Sequence, residues 1–336
     1  MSDEQENVQE NEQVSEGGHT PAWRTRGYWA RLIGVLAFGT VFALIAAPIV
    51  IAFLGVNFLT RPGCEFLTPV MPYSYTYEDI AFESPLGYEV KGYYFPGSNG
   101  AAILVPPAYR GDKGGMLHEA RYFIDAGYSV VTWDSRNCSG QVNTLGYLEV
   151  EDLRGALDWV LEKKGEDTPI GVHGFSSAGA TALMAAARYD EIDAVIAEGS
   201  YGNYERDALF RDQGMAWYAR LNVEGQIVAY NMMTGQDIAN LDPGETIGEL
   251  DIPVMLIYGD KETTLPGAKR MREAGGDNVT LWIVGGASHG QYAQKSHTFP
   301  QAVVNFFNGA LLEDEQPPET EESTGTQQPD QETEIG

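Results

Sequence analysis

The sequence predicts an α/β fold, a mostly parallel sheet with helices on both faces, preceded by one long apolar helix. Three observations carry that prediction. Short apolar runs of strand length alternate with helix-forming segments from about residue 80 to residue 312, the pattern of strands joined by crossover helices. At 170–179 one buried-strand run passes through a sharp Gly/Ser turn directly into an alanine-rich helix. From Leu32 to Thr60 there is no ionisable side chain at all.

In chain order, residues 1–22 and 313–336 are rich in Glu, Gln, Asp, Thr and Pro and hold no Lys or Arg. Such segments cannot bury enough apolar surface to offset the entropy of ordering, so both are expected to be disordered tails. They carry much of the net charge of −27, yet the body between them stays acidic. Phosphate binding needs basic patches, which excludes a nucleic-acid partner.

Residues 28–60 are expected to anchor the chain in a membrane. A bilayer core is crossed by about 20 apolar helical residues, and this run is longer, so it can span with some tilt. Trp23, Tyr28 and Trp29 suit the interface, and Pro48 is a candidate kink. The run is too long and starts too late for a signal peptide, and Pro48 follows Ala46 and Ala47 directly where cleavage would fall. A core helix would carry a polar face, which this stretch lacks. Arg24, Arg26 and Arg31 precede it, against Arg61 alone on the far side before Lys91. The positive-inside rule then puts the N-terminus in the cytoplasm and the folded body outside, in a single-pass arrangement.

Residues 61–79, rich in Pro and Tyr, read as a stalk. Segments 80–82 and 88–95, separated by Ser84-Pro85-Leu86-Gly87, read as an antiparallel hairpin. Strands follow at 101–105, 128–133, 170–175, 194–197, 254–258 and 280–284. Helices fall at 115–126, 149–164, 177–189, 266–274 and 299–312. Between Tyr201 and Leu250 there is no sheet periodicity, and Phe210, Met215, Trp217, Tyr218, Tyr230, Met232 and Met233 cluster there. The two cysteines, Cys64 and Cys138, show no metal or redox spacing. A disulfide between them would suit an oxidising compartment, but two unrelated thiols is the reading the sequence favours. No His/Cys cluster or HExxH run suggests a metal, and no cofactor is expected.

The chemistry concentrates at the sharp turn. Gly174-Phe175-Ser176-Ser177-Ala178-Gly179 has a serine at the apex with tiny residues two before and two and three after. That is the pattern of a nucleophile elbow, with alanine at 178 where glycine is usual. Ser176 Oγ would stand clear of the sheet, and the Ser177 N–H would point into the same space. Two carboxylates, Asp260 and Glu262, follow the strand at 254–258, at the sheet edge where open α/β sheets place their sites. His289 then sits in a Gly-rich loop beyond the next strand, completing the order serine, acid, histidine. His173 lies inside the elbow strand and reads as a packed core residue. His19 falls in the tail, and no role is evident for His118 or His297.

Taken together, residues 80–312 resemble an α/β-hydrolase domain, in the serine-hydrolase branch that includes the BEM46-like, YqkD-like and serine aminopeptidase-like proteins. The elbow carries the resemblance, with Trp133-Asp134-Ser135-Arg136-Asn137, Leu145 to Glu149 with Asp158-Trp159-Val160, Gly259 to Pro266, and Gly286 to Gly290. It implies a hydrolase acting on an acyl substrate through Ser176, His289 and an acid, with a lid at about 201–250. In the family's Gly-x-x-Asp-x-x-Val-Pro pattern the acid stands three after the glycine. Gly259 and Pro266 put that position on Glu262, with Asp260 as the alternative. A second departure concerns the oxyanion hole. Where relatives carry His-Gly after the third strand, this chain has Pro106-Pro107, and proline has no N–H to donate. The second donor is therefore expected from Ala108 or Tyr109, beside Ser177. These departures leave open a membrane-tethered binding protein on a hydrolase scaffold, and the same triad would also serve an acyltransferase with an acceptor other than water.

Overall fold

The computed structural model describes residues 26–64 and 75–312. Both acidic tails and most of the stalk lie outside the described residues. Helix α1 runs unbroken from Arg26 to Thr60 through Pro48, and is long and apolar enough to cross a membrane. A hairpin follows, β1 (Glu78–Ser84) and β2 (Tyr88–Phe95), turning at Gly87 with φ of 83°. Strand and helix then alternate through β3 (Ala102–Val105), α2 (Leu117–Asp125), β4 (Ser129–Trp133), α3 (Glu149–Lys164), β5 (Ile170–Phe175) and α4 (Ser177–Ala186). After β6 (Ala194–Glu198) the chain makes three helices, α5 (Tyr204–Asp207), α6 (Trp217–Thr234) and α7 (Pro243–Thr246). It closes with β7 (Val254–Gly259), α8 (Leu265–Ala274), β8 (Val279–Val284), α9 (Tyr292–Lys295) and α10 (Phe299–Leu311).

The eight strands form one sheet in the order β1-β2-β4-β3-β5-β6-β7-β8. Strand β2 is antiparallel to both β1 and β4, and every pairing from β4 through β8 is parallel. Strands β3, β4 and β6 are buried along their whole length, which is why they read as near-continuous apolar runs rather than alternating ones. Helices α3, α4 and α8 cover one face through Leu153, Leu157, Leu183 and Met271. Helices α2 and α10 cover the other through Phe123, Phe299, Val303 and Phe307. Strand order reverses between β3 and β5, so the loops after them diverge and leave a crevice at their C-terminal ends. Pro106 to Tyr109 leave β3 there, and Ser176 leaves β5.

Two expectations need correction. Strand β1 begins at Glu78, two residues inside the segment read as stalk. Its first residues are charged and exposed, so they lack strand alternation. They are held instead by ion pairs from Lys163 to Glu78 at 3.0 Å and from Lys113 to Asp79 at 2.7 Å. The cysteines are also not unrelated, since Cys64 and Cys138 form a disulfide with Cα atoms 4.6 Å apart. Their separation of 74 residues carries no spacing signature, and only the fold brings them together.

That disulfide completes a clamp on the C-terminal end of α1. The Asn143 N–H donates to the Thr60 carbonyl at 2.8 Å, the Tyr109 hydroxyl to the Leu59 carbonyl at 2.9 Å, and the Asn137 side-chain amide to the Gly63 carbonyl at 2.7 Å. Helix C-termini leave carbonyls without intrahelical donors, and here the folded body supplies them. Opening the 74-residue loop by reduction, or by Cys138→Ser, is expected to lower stability by about 4 kcal/mol on chain-entropy grounds. Denaturant titration of the detergent-solubilised protein with and without reductant measures it, and coincident curves would contradict it.

Candidate active site

Ser176 sits at the tip of the turn between β5 and α4 with φ of 59°, one of four non-glycine residues in the left-handed region among those described. Sterics make that conformation costly, so the surroundings must hold it. The Ser176 N–H donates to the Glu198 carbonyl at 2.7 Å, pinning the turn to β6. A Cβ on Gly174 would lie 2.3 Å from the Ala178 carbonyl oxygen. One on Gly179 would lie 3.0 Å from the Gly174 oxygen and 3.1 Å from Ser200 Cβ. The small residues are thus the condition for strand and helix to meet at this angle.

Glu262 and His289 come together beside it. His289 Nδ1 lies 2.9 Å from Glu262 Oε2. The carboxylate also accepts the Gly259 N–H and the Tyr292 hydroxyl on Oε1, each at 2.7 Å. Burial alone would raise the Glu262 pKa, but the bonds from His289, Gly259 and Tyr292 outweigh it and hold the group below the ordinary glutamate value. Asp260 is directed elsewhere: it is exposed and accepts the Gly286 N–H at 2.8 Å. The imidazole leans on Gly199, where an added Cβ would sit 2.7 Å from its Nδ1 and Cε1. Gly199 has φ of 57° and directly follows the residue that binds the Ser176 amide. On the other side the Phe175 ring lies 4.8 Å from the imidazole, centroid to centroid. The neighbours of Ser176 in chain and sheet are therefore the walls of the His289 site.

Ser176, Ser177, Glu262 and His289 line one cavity of about 560 Å³, together with Leu59, Tyr109, Tyr201, Tyr204 and Phe210. Among the described residues the Ser176 hydroxyl makes no hydrogen bond to His289; catalytic hydrogen bonds are often long in substrate-free sites. Ser177 opens α4, and N–H groups in a helix's first turn lack intrahelical acceptors. Ala108 and Tyr109 face Ser177 and Ala178 across a smaller adjoining cavity with Pro106 and Pro107. The contacts of Tyr292 with the carboxylate and of Phe175 with the imidazole are not legible in the sequence, although Phe175 lies inside the elbow motif. Tyr292 lies in a short helix and Phe175 in a strand, and neither spacing announces a carboxylate or an imidazole partner.

His173 is buried, as expected, but it is more than packing. Its Nε2 lies 2.5 Å from Glu198 Oε1, and its Nδ1 lies 3.9 Å from Glu119 Oε2. Donor atoms of Glu119, His173 and Glu198 fall within 4.8 Å of one another, the spacing of a candidate cation site, although the short contact to Glu198 already engages one ring nitrogen. Burial, then repulsion from Glu119, pushes Glu198 up to about 7. Burial would pull His173 down, but the Glu198 and Glu119 carboxylates more than reverse this and raise it. Both groups bind protons more tightly folded than unfolded, so stability falls as pH rises. For Glu198 the loss begins near the unfolded value of 4.5 and continues through about 7; for His173 it begins above 6.5. Thermal midpoints should therefore decline from pH 5 to pH 8, and Glu198→Gln should flatten that slope. An equal slope in the variant would sink this account.

Comparison with known proteins follows the same lines. The Pyrococcus furiosus esterase Pf2001 superposes with a TM-score of 0.56 at 20% identity, covering 74% of this chain and 98% of the esterase. A puromycin-hydrolyzing peptidase of Mycobacterium tuberculosis superposes with a TM-score of 0.56 at 17% identity, covering 74% of this chain and 42% of the peptidase. At such identities the likeness is one of fold. In sequence, the uncharacterized protein YqkD of Bacillus subtilis (strain 168) is 23% identical over 255 residues, 69% of this chain and 80% of that protein. The family model of the X-Pro dipeptidyl-peptidases matches residues 62–279, well over half of the chain, which therefore belongs to the S15 family and is an α/β serine hydrolase.

Proposed function

We propose that this chain is a membrane-anchored serine hydrolase that cleaves an ester, thioester or amide through an acyl-enzyme on Ser176. The observation that carries the reading is the Glu262–His289 pair, held at 2.9 Å beside the strained serine in one cavity. Ser176 Oγ attacks the carbonyl carbon as His289 Nε2 takes its proton. The imidazolium then protonates the leaving group, and water activated by the same imidazole releases the acid. Glu262 fixes the ring with its proton on Nδ1 and offsets the charge that develops there. Tyr292 acts as a positioning residue: its hydroxyl holds the second carboxylate oxygen, and burial followed by the Glu262 charge keeps its pKa raised, so it stays a donor. The Ser177 N–H and one from Ala108 or Tyr109 receive the oxyanion.

The cavity's charges speak to the substrate. A dipeptidyl-peptidase that reads a free N-terminal ammonium needs an anionic group to receive it, since a buried charge must be paired. Two carboxylates, Asp207 and Glu262, are among the described lining residues, and both are engaged. Asp207 accepts the N–H groups of Gly202 and Asn203, each at 2.9 Å, and pairs with Arg270. Lys261, Thr263, Thr264 and Ser288 also line the cavity, and Leu59, Leu145, Tyr201 and Phe210 give it an apolar side that suits an apolar acyl group. The membrane assignment draws on α1, whose mean hydropathy reaches 2.5 with 6% of that stretch buried. An extracytoplasmic body draws on the arginine asymmetry and on the disulfide, which persists in oxidising compartments.

Ser176→Ala should abolish labelling by a fluorophosphonate probe, and folded wild type that fails to label would overturn the mechanism. Glu262→Gln should lower kcat on a p-nitrophenyl acyl ester by about ten-thousand-fold, the scale seen when a triad carboxylate is neutralised. Asp260→Asn should leave it within a few-fold, and the reverse ranking would reassign the acid.

A further inference from the structure

The lid is not an isolated flap over the cavity; it is laid along the membrane helix. The Asn222 side-chain amide on α6 donates to the Pro48 carbonyl of α1 at 2.8 Å. Gly225 lets the helices touch, since a Cβ there would lie 3.0 Å from Ala52 Cβ and 3.5 Å from Ile49 Cα. Near the other end of α6 the Tyr230 hydroxyl donates to the Thr144 carbonyl, next to Asn143, which binds Thr60. Both helices thus run toward the catalytic body, and the start of α6 points back along α1. Pro48 lies about 18 Å from Thr60 along the helix axis, and Trp217 lies beyond that level.

The outward side of α6 is apolar. At about 100° per residue, Trp217, Leu221, Val228 and Met232 fall within roughly 60° of one another around the helix. Trp217, Val228 and Met232 are 54%, 51% and 71% exposed. Helix α1 exposes apolar side chains of its own on the side away from α6, including Ile51, Leu54 and Phe58. Glu224 borders it and is paired with Arg211. Leu59, in the last turn of α1, is itself a wall of the cavity that holds Ser176.

We infer that α6 runs alongside α1 and reaches the membrane that α1 spans with its starting turns, and that the substrate is a membrane-resident acyl lipid, an ester or amide whose chain passes from the bilayer into the cavity between α1 and the lid. The inference rests on the serine-hydrolase reading for its chemistry. Ser176 Oγ bonds to the lipid carbonyl carbon, the bond to the glycerol or amino group breaks, and that group leaves with the proton carried by His289. Water then cleaves the acyl-enzyme and frees a fatty acid. Trp217 and Tyr218 at the start of the helix are the residue types that favour the headgroup level.

The test uses full-length protein reconstituted in phosphatidylcholine vesicles. A bimane on Trp217→Cys or Leu221→Cys is expected to be quenched by phosphatidylcholine brominated on its acyl chains, while one on Lys295→Cys is not. Equal quenching at all three, or none at 217 and 221, overturns the placement. A bimane shift that tracks protein-to-lipid ratio without bromolipid quenching assigns the face to a second copy and overturns it too. Chemistry is read separately, as hydrolysis of a long-chain fluorogenic glycerolipid in the same vesicles, normalised to fluorophosphonate labelling of Ser176. Trp217→Asp with Leu221→Glu should lower that ratio by about tenfold or more, because charges enter hydrocarbon at high cost. Labelling without lipid hydrolysis in wild type overturns the substrate class alone, and failure to label overturns the hydrolase reading beneath it.

Discussion

Everything at the site depends on one strained turn. Ser176 occupies a backbone region that a side chain avoids, and it is kept there by a hydrogen bond to β6 and by the close passage of Gly174, Ala178 and Gly179. The same contacts set what surrounds it. Glu198 gives its carbonyl to the Ser176 amide and its side chain to His173, and Gly199, the next residue, makes room for His289. A shift in the β5–β6 register would move the serine and the imidazole's seat together. Since both neighbours are buried in the parallel sheet, that register is among the best-determined features of the fold.

Beneath that turn lies a buried ionic group, and its placement has a physical cost. An imidazole between two carboxylates is stable only while a proton is shared among them, because each charge has been removed from water. The cluster occupies the ends of β5 and β6, on the α2 side, where an apolar trio would also fill space. What the ionic version adds is directionality: the Glu198 side chain is fixed by His173 at the same residue whose carbonyl fixes Ser176.

Legibility in the sequence divides along the same line between local and non-local causes. Strand and helix alternation, the elbow and the order serine, acid, histidine were readable because each is written within a few residues, in turn chemistry and periodicity. Glu262 was favoured over Asp260 by the register between Gly259 and Pro266, and the carboxylate that meets His289 is the one at that register. What could not be read was contact across the fold. Tyr292 reaches Glu262 over 30 residues, Cys64 meets Cys138 over 74, and Asn222 meets Pro48 over 174. Each pair consists of residue types that are common elsewhere with no partner, so only the tertiary structure distinguishes them. The charged start of β1 was hidden for the opposite reason, since its local composition resembled a linker and its ladder with β2 overrode it.

The acidity of the chain bears on how such a lid could meet a bilayer. Anionic leaflets attract juxtamembrane Lys and Arg and repel carboxylates. The whole chain has 48 acidic against 21 basic residues and the body between the tails is itself acidic, so long-range electrostatics holds that body away from an anionic surface rather than drawing it in. Arg206 and Arg211, beside the start of α6, are already paired with Asp212, Glu205 and Glu224. Contact with the membrane must then come from burial of apolar area, which acts only at short range and only where such area is presented. In the described residues of the folded body that presentation is concentrated on α6, which packs along α1. On the proposed placement, Leu59 in the last turn of α1 puts the Ser176 cavity on the side of the body that faces the bilayer.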